Sequence, residues 1–334
     1  MMNLFMPQKM KVLIIRLSSI GDIVLTSPII RCVKKQLSNP DIHFLTKENF
    51  SSLIINNPHV NKVQRLKNND LKGLIIDLKK EKYDIVIDLH KNIRTLTIKR
   101  ALKAKWYSFN KLNFKKWLFV NFKIDLLPNI HIIDRYFEGL KSLHISNDNL
   151  GVEYHIPNQI QVDLDSYNLI KNQYYVISLG ATYLTKQIPN DILLSLFKRL
   201  NNIPMVLIGA GDKDTKKANF IMNNSNHKNI INLCNKLTID DSAYIIKYSK
   251  TIITGDTGMM HIASCFDVDI ITLWGNTHPK LGMHAYVSKE KVQNHLVDLA
   301  CHPCSKLGSE KCPRGHFDCM NMQDTEKIVL SIPK

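Results

Sequence analysis

No stretch of this chain stays apolar for the roughly 18 to 20 residues that a spanning helix requires, and Lys9, Lys11 and Arg16 interrupt the one apolar N-terminal stretch. Neither a transmembrane helix nor a secretory signal is expected. Glycine and proline are sparse, at 13 and 12 of 334 residues, which excludes collagen-like and low-complexity classes. Cysteine is too scarce and too scattered for a disulfide framework. The count is odd at seven, and Cys32, Cys234 and Cys265 stand alone within apolar patterns, as in a protein of the reducing cytoplasm. Acid is the other shortage: 29 Asp+Glu face 45 Lys+Arg, for a net charge of +16. The deficit is uneven, because residues 1–156 carry 26 basic and 13 acidic residues, whereas residues 157–334 carry 19 and 16. An anionic partner is therefore expected at the first half.

What is present is a 44% hydrophobic chain whose length, at roughly 150 residues per domain, predicts two domains. Short apolar runs alternate with helical spacing. Lys11–Arg16 reads as a strand, Leu17–Asp22 as a loop, and Ile29, Ile30, Val33 and Leu37 recur at helical intervals behind Ser27-Pro28. Further strands are predicted at Ile42–Thr46, near Val63 and at Tyr83–Leu89, with a helix from Asp70 to Glu81 and another around His131 to Leu143. A polar stretch at 157–172 reads as a linker, after which strands resume at Tyr174–Leu179, Val206–Ile208, Ile230–Leu233, Thr251–Thr254 and Ile270–Trp274. The pattern predicts an α/β protein of two tandem doubly wound domains, 10–156 and 173–334, with residues 1–9 as a tail. Ligands of such sheets sit beyond the carboxyl ends of the strands, so the site is expected in a cleft that the two domains face.

Three loops at predicted strand ends could carry chemistry. Ser18-Ser19-Ile20-Gly21-Asp22 offers a carboxylate that either takes a proton from a hydroxyl or caps the next helix. Gly255-Asp256-Thr257-Gly258-Met259-Met260-His261 offers backbone N–H groups for a phosphate and a carboxylate for sugar hydroxyls, or is a glycine turn with an Asp cap; it is neither a Walker A loop nor G-x-G-x-x-G. Gly180-Ala-Thr182-Tyr-Leu-Thr-Lys186 holds a lone lysine, either a solvated surface group or a neutraliser of a leaving diphosphate.

Two further segments stand out. His90 to Ile124 contains ten Lys+Arg, no acid and seven aromatics, a mixture that fits an anionic membrane surface, single-stranded nucleic acid, or a helix pair whose aromatics are core. Cys301, Cys304, Cys312 and Cys319, spaced C-x2-C-x7-C-x6-C, either bind zinc or remain free thiols.

Together, Ser18-Ser-Ile-Gly-Asp-Ile-Val-Leu-Thr-Ser-Pro28 after the first strand, and Gly255–His261 followed by Leu273-Trp-Gly-Asn-Thr-His-Pro279, resemble glycosyltransferase family 9, the ADP-heptose:lipopolysaccharide heptosyltransferase family. The likeness runs from about Met10 to the end. It implies a GT-B architecture of two Rossmann-like domains and an inverting, metal-independent transfer without a cofactor. By this resemblance Asp22 is the general base, Ser18, Ser19 and Gly21 shape its loop, and Asn92 and Arg94 contact an anionic glycolipid acceptor. Lys186 steadies the diphosphate, while Gly180, Thr182, Asp256, Thr257, Gly258, His261 and Thr277 hold an ADP-sugar donor. The basic aromatic stretch 90–124 is then a peripheral contact with the cytoplasmic face of an inner membrane rather than with nucleic acid. The alternatives are the same chemistry on another nucleotide sugar or glycan, and a basic nucleic-acid-binding protein with a C-terminal zinc module.

Overall fold

A computed structural model describes residues 9–200 and 202–333. Most of the expected tail, residues 1–8, lies outside them. The chain divides into two compact units, one comprising Met1–Lys111 and Ile132–His155, the other Leu112–His131 and Ile156–Lys334.

In the first unit, five parallel strands form a sheet in the order β3-β2-β1-β4-β5: β1 (Met10–Ile15), β2 (Pro40–Lys47), β3 (Lys62–Leu66), β4 (Ile85–Asp88) and β5 (Lys105–Ser108). β1 lies between β2 and β4, with Val12 beside both Ile42 and Ile85, so its apolar run is buried on both faces. The helices in chain order are α1 (Ile20–Val24), α2 (Ser27–Gln36), α3 (Ser52–Ile55), α4 (Leu71–Glu81) and α5 (Ile93–Ala101), then α6 (Asn113–Phe122) of the other unit and α7 (Ile132–Glu138). α4 starts where Asp70 accepts a hydrogen bond from the Gly73 amide at 3.0 Å, and packs Leu74 and Leu78 onto a core with Leu13, Ile15, Leu45 and Val86.

The second unit holds six parallel strands in the order β11-β10-β9-β6-β7-β8: β6 (Tyr175–Ser178), β7 (Met205–Ile208), β8 (Ile230–Asn232), β9 (Thr251–Thr254), β10 (Asp269–Leu273) and β11 (Val292–His295). Its helices are α8 (Asn190–Arg199), α9 (Gly211–Asn224), α10 (Ile239–Lys247), α11 (Gly258–Ala263), α12 (Asp318–Asn321) and α13 (Thr325–Leu330). Both sheets therefore reverse strand order at one point, between β1 and β4 in the first and between β6 and β9 in the second. That is where doubly wound sheets bind ligands.

The expected strands are present to within two residues at most ends, and β5 and β11, both edge strands, are additional. The larger difference is α6. Sequence order puts residues 112–131 inside the first half, whereas in the structure they pack with the second unit. Lys280 pairs with Asp125 at 2.7 Å, the Lys123 ammonium donates to the Pro303 carbonyl, Phe119 meets His278 edge-on, and the His131 ring contacts the His284 carbonyl at 3.0 Å. No helix among the described residues is long and apolar enough to cross a membrane.

Candidate functional site

At the switch point of the first unit, β1 delivers Arg16 and the Ser18–Asp22 loop. The Arg16 guanidinium, itself buried, forms an ion pair with Asp22, donates through Nε to the Ser18 carbonyl at 2.8 Å and donates through Nη1 to the Leu89 carbonyl. Asp22 Oδ2 also accepts from the Ser19 hydroxyl at 2.8 Å and the Ser19 amide at 3.1 Å. Burial alone would raise the Asp22 carboxyl, but the adjacent Arg16 charge and the Ser19 hydrogen bonds outweigh it and bring the group down to about 2. The capping reading of Asp22 is seen directly, since the residue ties the first turn of α1 back to Ser19; the same side chain is an ionised carboxylate, 17% exposed, at the sheet edge. Gly21 is buried beside it.

The loop after β4 lies on the same edge, since Leu89 N–H bonds the Ile15 carbonyl at 3.0 Å. Asp88 organises it by accepting from the His90 and Lys91 amides at 2.9 and 2.7 Å. Asn92 is committed as the N-cap of α5, its side-chain oxygen accepting from the Thr95 amide at 3.0 Å, while Arg94 is exposed on the first turn of α5. His90 has a buried Nδ1 that makes no hydrogen bond among the described residues. Burial first, then the Arg16 and Lys111 charges, push its imidazole down to about 4, so it is neutral near pH 7. Sequence reasoning missed Arg16 and His90; the available signal was a cation at the end of an apolar strand and a histidine one residue past the next.

In the second unit, the loops after β6, β9 and β10 meet. The Lys186 ammonium contacts Asp256 Oδ2 at 2.7 Å, and the Thr277 hydroxyl donates to the same oxygen at 2.8 Å. These side chains are largely buried, with Lys186 15% and Asp256 12% exposed. Glycines make the approach possible. A Cβ at Gly255 would lie 2.0 Å from the Lys186 carbonyl oxygen, and one at Gly275 2.0 Å from the Thr185 carbonyl oxygen, so any side chain there would displace the turn that carries Lys186. A Cβ at Gly180 would lie 2.4 Å from Asp214 Oδ2, whereas Thr182 is exposed.

α11 does open at Thr257 and Gly258 as expected, but spans six residues, so its dipole is small and Lys186 is the main positive charge in this group. The Thr257 hydroxyl pairs with that of Thr254 at 2.9 Å, and His261 is buried in α11 rather than lining open space.

The four C-terminal cysteines form no disulfide among the described residues. The Cys304 thiol donates to the Cys301 carbonyl at 3.0 Å, and Cys301 Sγ lies 3.8 Å from His316 Nε2. Burial pushes Cys304 up to about 11 and Cys319 up to about 12. Among the described residues, no group of three or more His, Cys, Asp or Glu is arranged to hold a metal ion.

Two doubly wound parallel-sheet units in one chain are the GT-B architecture. The family model described as glycosyltransferase family 9 (heptosyltransferase) matches residues 73–313, and the chain belongs to that family. It is 25% identical over 293 residues to lipopolysaccharide heptosyltransferase 1 of Campylobacter coli, covering 80% of this chain and 84% of the relative. The crystal structure of the family 9 glycosyl transferase from Veillonella parvula superposes with a TM-score of 0.76 at 20% identity over 96% of both chains. The E. coli heptosyltransferase WaaC with ADP gives 0.69 at 20% identity over 85% of this chain and 92% of its own.

Proposed function

We propose that this enzyme transfers a heptose or a related sugar from an ADP-activated donor to a lipopolysaccharide core or lipid A-type acceptor, with inversion and without a metal. The observation that carries the reading is the buried Lys186–Asp256–Thr277 group at the carboxyl edge of the second sheet. Support for the nucleotide comes from the WaaC structure with ADP, and for the acceptor class from the lipopolysaccharide heptosyltransferase of Campylobacter coli.

In the proposed step the acceptor hydroxyl oxygen attacks the anomeric carbon as Asp22 accepts the hydroxyl proton. The bond from that carbon to the diphosphate oxygen breaks, and its electron pair leaves with ADP. A single displacement inverts the anomeric configuration. Charge grows on the leaving diphosphate, where the Lys186 ammonium offsets it in place of a divalent ion. Asp256 holds that ammonium and, by exchanging it for sugar hydroxyls as the diphosphate arrives, couples donor entry to charge compensation. Ser18, Ser19 and Gly21 shape the base loop, Arg94 is the acceptor-side cation, Gly180, Thr182 and Thr257 belong to the donor loops, and Gly258 and His261 belong to the α11 helix that follows.

Peripheral attachment at the cytoplasmic face of the inner membrane is part of the proposal. Its support is narrower than the whole basic stretch 90–124: Phe114, Trp117 and Phe122 on α6 are 69%, 50% and 57% exposed, followed by exposed Ile124 and Leu126. Aromatics presented this way suit the headgroup level of a bilayer.

The test is calorimetric titration with ADP, UDP and GDP under chelator, followed by turnover of ADP-heptose with heptose-deficient lipopolysaccharide. ADP-selective binding and chelator-insensitive transfer are expected. Selectivity for UDP or GDP would move the reading to another nucleotide sugar, and a magnesium requirement would remove Lys186 from its role.

A further inference from the structure

The cysteine-rich segment has no role in the proposed chemistry, yet it is bonded to two of the three loops that form the Lys186–Asp256–Thr277 group, those that carry Lys186 and Thr277. Thr185, next to Lys186 and 2% exposed, is gripped by Ser309 through three hydrogen bonds. The Thr185 hydroxyl donates to the Ser309 carbonyl at 2.7 Å and accepts from the Ser309 amide at 2.9 Å, while the Thr185 amide donates to the same carbonyl at 3.2 Å. The Ser309 hydroxyl in turn accepts from the Asn276 side-chain amide at 2.9 Å and donates to the Lys311 carbonyl at 2.8 Å. Asn276, next to Thr277 and 1% exposed, accepts at its carbonyl from the Cys304 and Ser305 amides, both at 3.0 Å. The Thr277 carbonyl meets His302 Nε2 at 2.7 Å. Gly308 completes the fit: its φ of +111° is a backbone state that L side chains rarely adopt, and a Cβ there would fall 2.6 Å from the Tyr183 ring.

We propose that Ser309 and Thr185 are positioning residues for the transfer, and that the 302–309 segment is a brace that fixes where the Lys186 ammonium sits relative to Asp256 and Thr277. The inference rests on the donor-site reading above. Lysine is a point charge on a flexible four-carbon stem, so its reach is set only as well as its backbone is held. Here the backbone is held from two sides. Gly255 and Gly275 let the Thr185 and Lys186 carbonyls close against the strand ends, and Ser309 pins Thr185 from the other. These part-buried hydrogen bonds hold position because breaking one leaves the buried Thr185 or Asn276 with an unmet polar group. A displacement of about 1 Å at a charge that stabilises a transition state can cost about 100-fold in rate.

The test compares Thr185→Val, Thr185→Ser, Lys186→Ala and the Thr185→Val/Lys186→Ala pair in the full chain. Readouts are single-turnover rate with ADP-heptose and heptose-deficient lipopolysaccharide, ADP affinity by calorimetry and melting temperature. Thr185→Val is expected to lower the rate about tenfold or more with ADP affinity changed less than about threefold, and Thr185→Ser to recover most of the loss. In the Lys186→Ala background, Thr185→Val should add nothing to the rate defect, which a general loss of stability would not reproduce. If Thr185→Val does not fold, Ser309→Ala, which removes the hydroxyl links to Asn276 and Lys311 and keeps the backbone bonds to Thr185, replaces it in the same comparison, with a rate loss of several-fold expected. A Thr185→Val protein with a lowered melting temperature and wild-type rate overturns the brace while leaving the donor-site reading intact. A Lys186→Ala protein with wild-type rate overturns the donor-site reading itself, and the brace with it.

Discussion

At the scale of single residues, Asp22 is held between two demands. Its pairing with buried Arg16 keeps it ionised, and its bonds to Ser19 fix the first turn of α1. A carboxyl brought down to about 2 is a weak base, so the proton moves to it only as the new bond to the sugar forms. The acid limb of the rate profile should then come from another group: between pH 4 and 8, kcat/KM should show no inflection that Asp22→Asn removes. The folded-state pKa lies below the ordinary value of 3.8, so the stabilisation is fully present above about pH 4 and is lost as pH falls through 2, which acid titration of unfolding would follow. Asp22→Asn should cost about 100-fold or more in rate. It should also cost about 2 to 4 kcal/mol of stability by leaving Arg16 unpaired, to be read from denaturant unfolding. Adding Arg16→Met should return much of that stability without returning the rate; recovery of both would mean that Asp22 is structural only. Asp22 and Lys186 are singled out through the family resemblance, because a loop after an apolar strand by itself suits a helix cap or a solvated side chain equally well. Arg16 as a partner is not singled out, since its contact at Leu89 comes from strand pairing of β1 with β4 and its pairing with Asp22 from the way the Ser18–Asp22 loop turns back.

At the scale of elements, the buried strands could be read directly, because parallel strands covered on both faces leave continuous apolar runs. β5, with the sequence Lys-Trp-Tyr-Ser, and β11, with Val-Gln-Asn-His, could not, because these edge strands keep polar residues at half or more of their four positions and show no apolar run. The turn Leu184–Lys186 was legible only as a loop; the glycines that admit it lie some 70 and 90 residues further on. Gly255→Ala and Gly275→Ala should each lower stability by about 1 to 3 kcal/mol through overpacking, and lower the transfer rate as Lys186 shifts. Thermal unfolding and single-turnover assays measure the two effects; wild-type values for both would show that the turn relaxes freely. α6 changes the expected mode of membrane contact. Lys116 is buried and Lys123 is bonded to the Val120 and Pro303 carbonyls, so the exposed face is aromatic more than basic. Trp117→Ser/Phe122→Ser should therefore reduce co-sedimentation with vesicles more than Lys115→Glu does. The reverse order would restore the electrostatic account.

At the scale of the whole molecule, the two-unit plan and its fold class followed from the alternation of strands and helices, but the partition did not. No local signal marks residues 112–131 as foreign to the first half, because the residues that claim them, such as Lys280, His284 and Pro303, come more than 150 positions later. The chain consequently changes units at Lys111, at His131 and at His155, and a single cut cannot separate them. A fragment starting at Ile156 should melt below the corresponding transition of the intact chain, and a 112–131 peptide supplied in trans should raise it; an unchanged transition would mean that the segment adds nothing to the second unit. The same threading sets an order of events during synthesis. The first unit has all its residues once His155 is made, but α6, with Phe119 meant for burial, precedes most of the body that covers it by up to about 200 residues, a wait of roughly 10 to 40 s at ~5–20 residues per second. For that interval the nascent chain carries an uncovered aromatic helix, which makes this segment the natural point of engagement for a chaperone and of failure without one.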